Sequence, residues 1–231
     1  MNIYIDIETI PTQREDLKAM LADEVSHPAN ISKPETIEKW NKEKRPEAVD
    51  EAWRKTALNG TFGEVLAIGW AIDDEEPNCV IRKLGESEGA LLTQFFNQIG
   101  HAVTHGGGRS TPASVTWIGH FITGFDLRFI WQRAVINGVK PSVVLPYDAK
   151  PWSKDVFDTK TAWTGASSYA GGGKLDTLCK VLGYAGKGDL DGAKIWDAVL
   201  NERYTDIAVY CKDDVEKTRI LHRRMTFAVT P

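Results

Sequence analysis

The run Ile3-Tyr4-Ile5-Asp6-Ile7-Glu8-Thr9, closed by Pro11, alternates isoleucine with polar or amphipathic residues. A period of two is the signature of a β-strand, so Ile3, Ile5 and Ile7 share one face and Tyr4, Asp6 and Glu8 the other. Positions i and i+2 of a strand lie roughly 6.5 to 7 Å apart, so two acidic side chains on one face can converge on a hard divalent cation between them. Without a cation they repel. The same pattern describes an amphipathic edge strand with a solvated acidic face, and the strand alone does not separate the two readings.

A chain of 231 residues can bury one substantial α/β core, and the absence of a long Pro/Gly/Ser-rich hinge predicts a single domain over 1–231. Hydrophobic residues at 42% and charged residues at 26% are the proportions of a soluble globular protein. No apolar run is long enough to span a bilayer and no signal segment opens the chain, so a cytoplasmic setting and no membrane partner are expected. Cys79, Cys179 and Cys211 are scattered without CxxC spacing, which indicates neither a disulfide framework nor a zinc site. The net charge of −4 excludes a general polyanion-binding surface but not a local groove for nucleic acid.

Residues 12–60 carry apolar side chains at helical spacing (Leu17, Met20, Leu21; Ile37, Trp40; Val49, Ala52, Trp53) and read as two or three amphipathic helices inserted after the first strand. Glu64 to Ile72 is a near-continuous apolar run, the mark of a central strand, and Cys79 to Leu84 is a plausible antiparallel partner. Ser87 caps a helix from about Glu88 to His101. The glycine-rich stretch from His105 to Ser110 precedes a strand and lacks a GK[ST] ending, so it reads as a loop. Val115 to His120 is the next strand and leads through Phe125-Asp126 into a helix. Val156 to Thr159 predicts a short edge strand with Asp158 at its end. Lys187 to Gly192 has turn chemistry. Trp152, Trp163 and Tyr169 can stack on unpaired bases or anchor loops.

The last helix, from about Thr205 to Met225, has Ile207, Cys211, Val215, Thr218 and Leu221 as its buried stripe, with Lys212, Glu216, Lys217, Arg219 and Arg223 elsewhere. Tyr210 and Asp214, four apart, stack on one side next to the stripe, and an inward carboxylate there needs a cation or donors. Asp126 either complements a helix dipole or points to the strand ends where α/β folds collect ligands.

In this order, Asp6-Ile7-Glu8-Thr9, then Gly119-His120-Phe121-Ile122-Thr123-Gly124-Phe125-Asp126, then Tyr210-Cys211-Lys212-Asp213-Asp214, the chain resembles the DEDD superfamily of 3′-to-5′ exonucleases in its tyrosine branch. It is most similar to stand-alone proteins related to the proofreading exonuclease domain of family B DNA polymerases. The resemblance implies an α/β fold of the RNase H-like kind, a mixed central sheet flanked by helices with the helical insertion at 12–60. It implies a metal-dependent 3′-5′ exonuclease that releases nucleoside monophosphates from DNA, at single-stranded or frayed 3′ ends. Two Mg²⁺ or Mn²⁺ ions would be held by Asp6, Glu8, Asp126 and Asp214, with Tyr210 positioning the attacking water. Thr9, His120, Phe125 and Lys187 would touch substrate. DNA 3′ ends are the implied partner, with replication or repair proteins as possible further ones. One position departs from the pattern: the second motif usually carries asparagine where this chain has Phe121.

Carboxylate oxygens suit Mg²⁺ and Mn²⁺, and two such ions can serve both the attacking and leaving oxygens of a phosphodiester. Two alternatives remain open: an exoribonuclease of the same superfamily, and a catalytically silent nucleic-acid-binding subunit.

Overall fold

The computed structural model describes residues 1–105, 113–165, 173–186 and 190–229. The glycine-rich stretch after His105, Tyr169 and Lys187 lie outside the described residues. The backbone divides into two compact units, one formed by 1–8 and 65–231 and the other by 9–64.

In the larger unit the alternating run becomes β1 (Asn2–Ile10), which extends into the second unit. It is followed, beyond the smaller unit, by β2 (Glu64–Ile72), β3 (Asn78–Ile81) and α4 (Glu88–His105). Then come β4 (Thr116–Gly119), α5 (Asp126–Ile136), β5 (Val156–Asp158), α6 (Thr159–Thr164) and α7 (Leu175–Val181). A short 3-10 turn at Gly192–Lys194 opens α8 (Ile195–Leu200), and α9 (Tyr204–Met225) follows. The five strands make one mixed sheet in the order β3-β2-β1-β4-β5. β3 runs antiparallel to β2, with Gly69 opposite Cys79. β1, β4 and β5 are parallel, with Asn2 opposite Thr116 and Gly119 opposite Asp158. Their carboxyl ends therefore share one end of the sheet, where open α/β sheets gather ligands.

The period of two in β1 is realised as two cores. Ile3, Ile5 and Ile7 pack with Phe95, Phe96 and Ile99 of α4 and Ile130 of α5 on one face. Tyr4 packs with Ile118 and Val215 of α9 on the other. The helix capped by Ser87, whose hydroxyl accepts from the Ala90 N–H at 3.2 Å, is tied to α5 by a buried ion pair. Glu88 takes Arg133 Nη2 at 2.7 Å, Asn137 Nδ2 at 2.8 Å and the Val65 N–H at 2.7 Å, so all of the carboxylate's charge is met inside the protein.

The periodicity of α9 is obeyed and exceeded. Lys217 and Arg219, which the spacing sets outside the buried stripe, are buried too, because α6, α7, α8, β3 and β4 all pack on this helix. Their charges are satisfied locally: Lys217 by Asp213 and Asp214, Arg219 by Glu216 and the Glu75 carbonyl.

The smaller unit contains α1 (Glu15–Glu24), α2 (Pro34–Glu43), α3 (Arg45–Lys55) and a 3-10 turn at Thr56–Leu58. None of the three helices has a fully buried residue. Polar contacts join the segments: Trp53 Nε1 donates to the Thr12 carbonyl at 2.8 Å, Arg45 Nη2 to the Ala22 carbonyl at 2.6 Å, and the Lys18 ammonium lies 5.0 Å from the Trp53 ring centroid. Among the described residues no helix is long and apolar enough to cross a membrane.

Candidate nuclease site

The ladder between β1 and β4 pairs Asn2, Ile3 and Tyr4, so Asp6 and Glu8 lie beyond these three partners along β1. Across from them stands α9. Cys211 Sγ is 3.5 Å from the Asp6 carbonyl oxygen and 3.7 Å from Asp6 Oδ2. Ligand atoms of Asp6, Glu8 and Cys211 all lie within 4.8 Å of one another, with Glu8 and Cys211 buried and Asp6 half-buried. Gly69 makes this approach possible: a Cβ there would fall 2.9 Å from Cys211 Sγ and 3.1 Å from the Cys211 carbonyl oxygen.

Beside Cys211 stands Tyr210, and about one turn further along α9 stands Asp214. Tyr210 is hydrogen-bonded to Asp214, and its pKa is pushed well up, first by burial and then by the charges of Asp214, Glu8 and Asp6. The hydrogen bond with Cys79, then burial and the charge of Asp6, raise the Cys211 thiol well above its ordinary value. Asp214 is 4% exposed and has Lys217 Nζ at 3.8 Å.

Asp126 enters from the start of α5. It is 4% exposed, and the backbone N–H of Ile7, between the two acids of β1, favours its charged form. Burial raises its pKa to about 7, and the Asp158 charge adds to the rise. Asp6 and Glu8 of β1 are thus met by Cys211, Tyr210 and Asp214 of α9 and approached by Asp126 from α5, while the group that closes to within 4.8 Å among the described residues is Asp6, Glu8 and Cys211. A set of carboxylates in so little water is costly unless positive charge meets it. The donor chemistry of the carboxylates fits a hard divalent cation, with the Cys211 thiol as a soft atom in reach.

The remaining sequence candidates are placed differently. The Thr9 hydroxyl donates to the Ala57 carbonyl at 2.6 Å within the smaller unit. His120, at the end of β4, has Nδ1 3.0 Å from the Thr159 hydroxyl. Phe125 is half-buried, its ring 5.2 Å from that of Phe129 and packed against the main core. Trp152 and Trp163 are exposed.

A family model described as a predicted 3′-5′ exonuclease related to the exonuclease domain of PolB matches residues 56–230. The chain belongs to that family. The mixed five-stranded sheet with its flanking helices is the RNase H-like exonuclease fold, and the family makes the protein a nuclease of the hydrolase class with nucleic acid as its partner. The matched stretch takes in Asp126, Tyr210 and Asp214 and begins after Asp6 and Glu8. No curated protein matches the chain.

Two residues near the candidate site carry other roles in the sequence reading, Lys217 as a side chain outside the buried stripe and Asp158 as a strand end. Lys217 has a local signal, since it stands three and four residues after Asp214 and Asp213 on one helix. Asp158 has almost none. Read as a strand end, it is buried and receives the N–H groups of Phe121, Thr123, Lys160 and Thr161 at 3.1 Å each, and the Thr123 hydroxyl at 2.6 Å.

Proposed function

We propose that this exonuclease removes nucleotides from the 3′ end of DNA, with two Mg²⁺ or Mn²⁺ ions held by Asp6, Glu8, Asp126 and Asp214. The observation that carries the reading is the meeting of Asp6 and Glu8 with the Tyr210–Asp214 pair of α9. When bound, such ions neutralise the phosphodiester and ease deprotonation of water.

The chain's own groups do the rest. Asp6 and Glu8, on one face of a strand at the centre of the sheet, would hold the ions. Asp214 closes the site from α9, and Asp126 from the head of α5. Tyr210, with its hydroxyl bonded to Asp214, orients the attacking water. Burial of the carboxylates keeps competing solvent out. His120 and Phe125, on either side of the turn that leads into α5, would touch the substrate. DNA is preferred to RNA because the family is described by kinship to the exonuclease domain of PolB.

The test is digestion of matched DNA and RNA oligonucleotides labelled at the 5′ end, with Mn²⁺ and with EDTA. Stepwise shortening of the DNA with Mn²⁺, none with EDTA and none with Asp6→Asn is expected. Asp6→Asn should also lose the Mn²⁺-induced rise in melting temperature while melting no lower than the parent without metal, because one of several crowded carboxylates is gone. Faster shortening of RNA would move the substrate to RNA, and no metal-dependent shortening of either would remove the nuclease reading.

A further inference from the structure

Phe121 sits between β4 and α5, five residues before Asp126, in the left-handed region with φ of 71°. A bulky aromatic side chain there costs about 1 to 3 kcal/mol, yet the ring is 43% exposed and contributes little burial in return. Asparagine, the residue of the family pattern, takes this backbone more readily. The ring lies across Gly124, where a Cβ would come within 2.3 Å of Phe121 Cζ. The Lys160 ammonium stands 3.9 Å from the ring centroid. A cation over an exposed ring contributes about 0.5 to 1 kcal/mol, which does not offset the strain.

Both residues are held by one buried carboxylate. Asp158 Oδ1 accepts the backbone N–H of Phe121 and that of Lys160, each at 3.1 Å. The Phe121 carbonyl in turn accepts the Phe125 N–H at 3.0 Å, and Asp126 follows Phe125 in the chain, so the ring and the ammonium are anchored beside the proposed metal site. A strained, exposed aromatic fixed next to a cation is what a single strand needs: a face for a base and a charge for its phosphate.

We propose that Phe121 and Lys160 form a nucleotide-docking step beside the scissile position, the base resting on the phenyl face and the phosphate taking the Lys160 ammonium. The inference rests on the nuclease reading above and names the substrate form, an unpaired strand. The step binds the strand and does not take part in the chemistry.

Binding is measured by fluorescence anisotropy of a 5′-labelled single-stranded oligodeoxynucleotide in EDTA, and turnover separately with Mn²⁺. Phe121→Leu, which keeps apolar bulk but removes the aromatic face, should weaken binding about 5- to 100-fold and raise KM, with kcat nearly unchanged. Phe121→Tyr should restore both. Lys160→Ala should lower the slope of log Kd against log salt by about 0.7, a change that a merely structural role would not produce. Wild-type binding and KM in both Phe121→Leu and Lys160→Ala, with the parent still shortening DNA, would overturn the docking step alone. A parent that neither binds nor shortens DNA would overturn the nuclease reading and the docking step with it.

Discussion

Lys217 Nζ lies 3.8 Å from Asp214 Oδ1, and both side chains are buried within α9. The same ammonium also pairs with Asp213, which is half open to water. A positive charge is thereby built into the acidic site by the helix that supplies its last carboxylate.

Lys217→Met is therefore expected to destabilise the metal-free protein by about 3 to 5 kcal/mol, the cost of leaving a buried carboxylate without its cation. Mn²⁺ should recover more stability in the variant than in the parent, since the ion replaces the missing charge. Thermal melts with EDTA and with Mn²⁺ check this. Equal metal-induced shifts would show that Lys217 does not balance the site.

Tyr210→Phe removes a hydroxyl that is hydrogen-bonded to Asp214. A fall in kcat of about 10- to 100-fold is expected if that hydroxyl orients water, with a stability loss of about 1 kcal/mol and the Mn²⁺-induced shift in melting temperature retained. Single-turnover digestion at saturating Mn²⁺ measures the first, and an unaltered rate would take Tyr210 out of the mechanism.

Gly69→Ala should be disruptive although Gly69 is part of a regular strand. The added methyl meets Cys211 Sγ at 2.9 Å and the Cys211 carbonyl oxygen at 3.1 Å, so α9 must move away from the sheet. A cost of about 1 to 3 kcal/mol is expected, and activity should fall with it because Cys211 neighbours Tyr210. A chemical-denaturation curve and an assay on the same sample check both.

His222 gives the protein an acid limb away from the site. Its Nδ1 is 3.0 Å from the Tyr4 hydroxyl, its ring packs 4.7 Å from that of Phe157, and burial lowers its pKa from 6.5. The neutral ring is the form that the fold accommodates, so the stability it supplies is present above pH 6.5 and is lost as the pH falls through the lowered value. His222→Gln, which keeps an acceptor for Tyr4 but cannot titrate, should flatten the decline in melting temperature below pH 6.5. A parallel decline in both proteins would exclude His222 as its source.

The sheet and the acids of the site are legible in the sequence where a local pattern carries the information. β1 shows its two faces because each residue is either isoleucine or polar, and Tyr210 and Asp214 share a side of α9 because they are four apart. Lys217 and Arg219 escape that logic. A helical wheel marks the side of α9 facing the sheet, but α6, α7 and α8 cover further sides, and those neighbours are set by tertiary packing. Asp158 escapes it in part: its cap on α6 through the Lys160 and Thr161 N–H groups is local, but its other donors come from Phe121 and Thr123, 37 and 35 residues away, and nothing in its immediate surroundings announces those. The helices of 12–60 are readable from spacing, yet their apolar stripes are only half covered.

Asp6 and Cys211 touch across 205 residues of chain. Contacts of that span form late, after nearer ones have closed the intervening loops. During synthesis, a ribosome would therefore have released β1 long before α9 exists to face it. A nascent chain that still lacks α9 carries Asp6, Glu8 and Asp126 but neither Tyr210 nor Asp214, so on the mechanism proposed above it gains activity only when α9 emerges and docks.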